Sequence, residues 1–182
     1  MHNCQKISEG LVYLGGNDRR ISLFESAYPV PRGVSYNSYL LKDEKTALID
    51  TVDTAVGDLF FENLAYALGG APLDYVIVQH MEPDHSATFA RLIELYPDVT
   101  VVTSQKAAVM LKNYFGYAGQ AHLVKEGDTL SIGKRTLTFV GAPMVHWPEV
   151  LFTYVPEDGI LFSADAFGTF GALAGNIMDD EI

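Results

Sequence analysis

Tyr75-Val76-Ile77-Val78-Gln79-His80-Met81-Glu82-Pro83-Asp84-His85-Ser86 reads as a short apolar strand that runs into a loop crowded with imidazoles and carboxylates. Tyr75 to Val78 is β-branched and aromatic, too short for a helix and suited to a buried strand. A loop at a strand end presents polar groups from a rigid support. Pro83 disfavours the helical region for Glu82 and pushes it toward an extended conformation. In an extended segment residues two apart point the same way. His80, Glu82 and Asp84 are therefore expected to project toward one point, with His85 starting on the other side. Taken singly, each residue has an ordinary reading: a hydrogen-bonded histidine, a solvated glutamate, and Asp84 as the cap of a helix starting near Ser86. Taken together they resist it, because carboxylates packed side by side repel each other unless a cation compensates.

Outward from this stretch, the chain alternates between two periods. Toward the N-terminus, Leu11 to Leu14, Ser35 to Leu41 and Thr46 to Ile49 read as strands, with Asp43-Glu44 as a turn and Pro29, Pro31 and Gly33 marking a loop. Phe61, Leu64, Ala65 and Leu68 follow helical spacing up to Gly69-Gly70. Toward the C-terminus, Phe89, Leu92, Ile93 and Tyr96 form a second helical stripe, and Val99 to Val102 a strand. Ser104 is placed to cap a helix that Gly116 stops. Thr129 to Ile132 with Thr136 to Val140, and Val150 to Val155 with Ile160 to Ser163, read as hairpins around Gly133-Lys134 and Glu157-Asp158-Gly159. Strands, then βαβα, then strands, suit a layered α/β fold with a mixed sheet or two sheets. A Rossmann fold fits less well, since it needs regular alternation and a glycine-rich first turn.

Two later residues are placed to complete a site. His146 follows the Thr136 to Val140 strand in Pro143-Met144-Val145-His146-Trp147-Pro148, and Asp165 follows Ile160 to Ser163 in Ala164-Asp165-Ala166-Phe167-Gly168. Both lie at strand ends in apolar surroundings, where an unpaired carboxylate is costly; the ordinary reading of Asp165 is a hydrogen bond to backbone. Trp147 is divided evenly between core packing and contact with a pocket or flavin. Phe167, Gly168 and Phe170 are assigned mainly to core packing, His122 to a surface strand, His2 to a disordered end, and Cys4 to an inert thiol with no base beside it.

Composition bounds the partners. Of 182 residues, 48% are hydrophobic and 19% charged, enough for a substantial core. A net charge of −11 argues against nucleic acid and anionic membrane. One cysteine allows no internal disulfide and fits a reducing, cytoplasmic setting. No signal-like stretch and no apolar run of about 18 residues is present.

His-x-Glu-x-Asp-His over residues 80–85, then His146, then Asp165 after an apolar strand, resembles the metallo-β-lactamase-like domain of flavodiiron proteins. Asn37-Ser38-Tyr39-Leu40, Leu48-Ile49-Asp50-Thr51-Val52 and Leu161-Phe162-Ser163-Ala164-Asp165-Ala166-Phe167-Gly168 extend the likeness along almost the whole chain. The resemblance implies an αββα sandwich carrying two iron ions. His80, Glu82 and His146 would bind one iron, Asp84 the other, and Asp165 both, with His85 a ligand or a group just behind the ligands. Glu82 stands where hydrolases of the superfamily carry histidine, and the extra carboxylate suits iron better than hydrolytic zinc.

The implied activity is reduction of dioxygen to water, of nitric oxide to nitrous oxide, or both. Electrons would come from FMN on a flavodoxin-like domain, refilled by a rubredoxin-like protein or a flavin reductase, in a head-to-tail homodimer. The family pattern carries one more histidine on the second iron, and this chain has none after His146. The expectation is therefore one di-iron domain over residues 1–182, incomplete at its C-terminus and without the flavodoxin-like domain. Two alternatives stay open: a zinc-dependent hydrolase of the same superfamily, and a non-catalytic fragment that needs a partner chain.

Overall fold

The computed structural model describes residues 2–175, 177 and 178. The strands are β1 Gln5–Ser8, β2 Leu11–Tyr13, β3 Gly16–Asp18, β4 Leu23–Phe24, β5 Tyr28–Pro29, β6 Val34–Tyr36, β7 Tyr39–Lys42, β8 Thr46–Ile49, β9 Tyr75–Val78, β10 Thr100–Thr103, β11 His122–Leu123, β12 Thr129–Ser131, β13 Thr136–Gly141, β14 Leu151–Val155 and β15 Ile160–Phe162. The helices are α1 Gly57–Leu68, α2 Pro83–Ser86, α3 Phe89–Leu95 and α4 Gln105–Phe115.

Seven strands form one sheet in the order β1-β2-β7-β8-β9-β10-β11. Pairing is antiparallel up to β8 and parallel from β8 to β11. The parallel part follows from the helices α1, α3 and α4, which supply the crossovers that parallel neighbours need. A second, antiparallel sheet is the meander β12-β13-β14-β15.

Alternation along the large sheet divides the core in two. Leu40, Leu48, Val76, Val78 and Val101 face the helices, where they join Phe60, Leu64, Phe89 and Leu111. Leu41, Ile49, Ile77 and Val102 face the small sheet and meet Leu137, Phe139, Leu151 and Phe162. The small sheet's outer face carries exposed Tyr154 and Leu161, and among the described residues no helix covers it. Helices, sheet and sheet thus form three layers of the expected αββα sandwich.

Local signals hold where they are chemically explicit. Gly69 and Gly116 end α1 and α4 at φ 61° and 65°, and Ser104 accepts a capping bond from the Ala107 amide. The single strand expected over Ser35 to Leu41 is instead broken at Asn37-Ser38. β6 pairs with β3, whereas β7 pairs with β2 and β8, so the chain changes partners there. Ser38 fixes the break by donating its hydroxyl to the Asp50 carbonyl. Pro29, expected in a loop, lies in the exposed two-residue strand β5, an edge position that tolerates proline. His2 is not a loose end, since its ring stacks on Tyr66, and its Nδ1 lies 3.9 Å from Cys4 Sγ.

Candidate metal centre

The loop after β9 departs from a fully extended path. Glu82 is extended at φ −63° and ψ 149°, as its proline neighbour dictates. Pro83 then begins the single turn α2, a favoured position because proline's missing N–H would have no helical partner there. Asp84 and His85 are therefore helical. Asp84 caps nothing, and no side chain caps this turn. The turn also carries His85 around to the same side as its neighbours, which the extended reading missed.

Three loops meet at this point. The amide of Leu151 donates to the Gln79 carbonyl, clamping the entrance of β14 onto the exit of β9. His146 hangs from the preceding loop, folded by bonds from the Val145 amide to Ala142 and from the Met144 amide to Trp147. Asp165 sits in a turn closed from the Gly168 amide to its own carbonyl. Every non-glycine residue with positive φ among those described lies in the loops around this point: Glu25, Ser26, Asp50, Met144, Ala164 and Phe167. Such conformations cost on the order of 1–3 kcal/mol each and concentrate where geometry is over-determined by surroundings.

The donor atoms form two groups. His80 Nε2 lies 3.0 Å from Glu82 Oε2 and 3.1 Å from Asp165 Oδ2. His146 Nε2 lies 2.7 Å from the same glutamate oxygen and 3.3 Å from the same aspartate oxygen. Asp165 turns its other oxygen, Oδ1, to His85 Nε2 at 2.8 Å, and Asp84 Oδ2 is 3.6 Å from that nitrogen. The two groups are thus His80, Glu82, His146 and Asp165, and Asp84, His85 and Asp165, with Asp165 in both.

This donor set fits metal ions. Ligands at about 2.0–2.2 Å from one ion lie about 3 Å from each other, the spacing seen here. Asp84 Oδ1 and Asp165 Oδ2 are buried without a hydrogen-bond partner, which two centres of positive charge would supply.

The charges repeat this demand. Burial alone would lower the His80 pKa, yet the carboxylates of Asp165, Glu149 and Glu82 raise it to about 11. Burial opposes His85 in the same way, and Asp165 and Asp50 hold it well above the ordinary range. Burial works to raise Asp165, but the adjacent His80 and His85 imidazoles hold it down; Glu82 is likewise lowered against burial, by His80 first. Asp84 is pushed up by burial to about 6. Without a cation, protons on the imidazoles carry the positive charge that these carboxylates require.

Sequence reading overlooked four neighbours. Glu149 Oε1 lies 2.8 Å from His80 Nδ1, and Asp50 Oδ2 lies 3.0 Å from His85 Nδ1. Glu25 reaches Glu82, and that bond, with burial, raises it to about 7. Tyr36, buried, lines the same cavity. Asp50 stands in the sequence only as part of an apolar motif, and none of the four carries a local signal, since each depends on contacts between distant segments.

A cavity of about 490 Å³ opens onto Glu82, Asp84, His85, His146 and Asp165. Phe24, Tyr28 and Phe170 form an aromatic cluster at its wall. Phe170 and Gly168 are therefore cavity residues, and Phe167 is 91% exposed, so none of the three is core packing. Trp147 packs against the helix-side core and stands edge-on to His80, with ring centres 5.3 Å apart, and is not among the cavity-lining residues. His122 is exposed on β11, as expected.

Residues 34–180 match the ODP family beta lactamase. The chain is 40% identical over 185 residues to the nitric oxide reductase of Moorella thermoacetica, covering 96% of this chain and 46% of that protein. It superposes on the flavodiiron protein of Giardia intestinalis with a TM-score of 0.93 at 33% identity, over 100% of this chain and 44% of the other. The rubredoxin oxygen:oxidoreductase of Desulfovibrio gigas gives 0.93 at 32%, over 99% and 45%. The chain thus spans less than half the length of each of these proteins. The expected likeness to the β-lactamase-like part of flavodiiron proteins holds in sequence and in fold.

Proposed function

The chain belongs to the ODP β-lactamase family, and on that premise we propose that it is the di-iron domain of a flavodiiron oxidoreductase that reduces dioxygen, nitric oxide or both. The observation that carries this reading is Asp165, whose two oxygens face different donor groups. His80, Glu82, His146 and Asp165 would hold one iron, and Asp84, His85 and Asp165 the other. Bound there, the ions would supply electrons to a small diatomic substrate.

The chain's own residues prepare that chemistry. Glu82 and Asp165 add negative charge that favours the more oxidised metal. Asp84, His85 and Asp165 line the cavity, so a substrate would reach their position from the cavity side. Phe24, Tyr28 and Phe170 narrow the cavity with apolar surface that excludes water. FMN would come from a domain or chain outside these 182 residues, refilled by a rubredoxin-like protein or a flavin reductase. The rubredoxin named for the Desulfovibrio relative supports that donor class. A homo-oligomer would bring flavin and metal together. No helix among the described residues is long and apolar enough to cross a membrane; the setting proposed is cytoplasmic, which the single cysteine suits.

The test is anaerobic loading with ferrous iron, metal analysis, and consumption of oxygen or nitric oxide with a reduced FMN-bearing donor. Two irons per chain, with substrate consumed only when the donor is present, is the expected result. Retention of zinc alone, with thioester hydrolysis, would overturn the proposal.

A further inference from the structure

Glu149 is the most deeply buried carboxylate beside the proposed centre, and it belongs to neither ligand group. Its side chain has no exposure. Oε1 lies 2.8 Å from His80 Nδ1 and accepts from the Met81 amide at 3.0 Å, whereas Oε2 is buried with no hydrogen-bond partner. Its backbone carbonyl accepts from the Ser104 hydroxyl at the start of α4. One residue therefore ties the loop that carries His80 and Glu82 to the loop that carries His146.

A buried carboxylate with one oxygen unpartnered is costly unless its neighbour is positively polarised. Among the described residues its titratable hydrogen-bond partner is the His80 ring, whose other nitrogen faces Glu82 and Asp165. An imidazole that donates Nδ1–H to a carboxylate keeps the Nε2 lone pair free and becomes a stronger ligand.

We infer that Glu149 is a positioning residue that holds His80 with its proton on Nδ1 and its Nε2 free for the first ion. The inference rests on the proposed metal centre and names a residue that acts on it from outside the ligand set. Asp50 stands in the matching place behind His85, so the two carboxylates act on different ions.

The experiment titrates cobalt(II) into the metal-free chain, followed by visible absorption and chelator competition, for wild type, Glu149→Gln and Asp50→Asn. Glu149→Gln keeps an acceptor for the Met81 amide and removes the charge. It is expected to weaken the tighter cobalt equivalent about 10–100-fold, the usual effect of such a partner, and leave the weaker one unchanged, while Asp50→Asn does the reverse. A purely structural role would instead weaken both equivalents together or lower the unfolding midpoint without changing affinity, and either result overturns the inference. Should Glu149→Gln fail to fold, ¹⁵N NMR of zinc-loaded wild type decides: a slowly exchanging His80 Nδ1–H with zinc on Nε2 is expected, and zinc on Nδ1 would overturn it. Wild type that binds no cobalt sinks the metal centre itself, whereas unchanged affinity in Glu149→Gln sinks only this inference.

Discussion

The two donor groups that meet at Asp165 are built to different standards. The first draws four side chains from three loops, with His80 fully buried, and Glu149 stands behind it. The second, among the described residues, draws on three donors, two of them adjacent in one helical turn, with Asp50 behind His85. Many long-range contacts fix the first position tightly, while the second is assembled mostly from one local turn and one borrowed carboxylate oxygen. Among the described residues, the first position thus offers a cation one donor more than the second.

The comparison is broken most severely at its shared element. Asp165→Ala should weaken both metal equivalents by at least about 100-fold, beyond the range of a change outside the ligand set. Calorimetric titration with cobalt checks this; loss of one equivalent alone would show that Asp165 does not serve both positions.

The next largest effect separates two ligands of the first group by burial. His80→Ala strands Glu149, Glu82 and Asp165 without their imidazole and should cost the metal-free chain about 3–5 kcal/mol, as removing one member of a buried charge pair does. His146, whose side chain is 55% exposed, should cost below about 1 kcal/mol when changed to alanine. Urea unfolding of both variants measures the difference, and equal costs would refute it.

A third test uses pH. His80 is raised from 6.5 to about 11 in the folded chain. A group raised on folding contributes its full stability below its unfolded pKa and loses it as pH climbs through the folded value. The metal-free chain should therefore lose on the order of 2–3 kcal/mol between pH 6.5 and 11, discounted because Asp165 is partly exposed. Zinc should flatten that slope, since the ion replaces the proton. Unfolding midpoints that fall equally with and without zinc would contradict this.

The smallest effect sharpens the contrast. Asp84→Asn should weaken only the second equivalent, about tenfold or roughly 1.4 kcal/mol, because amide oxygen remains a neutral donor at the same place. Weakening of the first equivalent would show that the two groups are not separate.

Much of the frame was readable along the chain, and the reasons are local. β9 appears exactly at Tyr75–Val78, because a four-residue apolar run between polar flanks has few other options. The α4 boundaries follow from one serine hydroxyl and one left-handed glycine. The ligand types clustered at 80–85 are also visible, since carboxylates packed this closely repel each other unless a cation compensates. His85 lies on the ligand side rather than opposite it, because Pro83 starts a helical turn and the extended spacing does not continue through Asp84 and His85.

The sequence by itself determined the central strands of both sheets, the ends of α1 and α4, two hairpin turns, and which residues could ligate a cation, because periodicity, capping and turn chemistry act over a few residues. Tertiary structure alone decided that His146 meets Glu82 across 64 positions, that His85 meets Asp165 across 80, and that Glu149 stands behind His80 across 69. Those meetings depend on how two sheets stack and where their loops converge. No short segment encodes that convergence, since it arises from the packing of both cores at once.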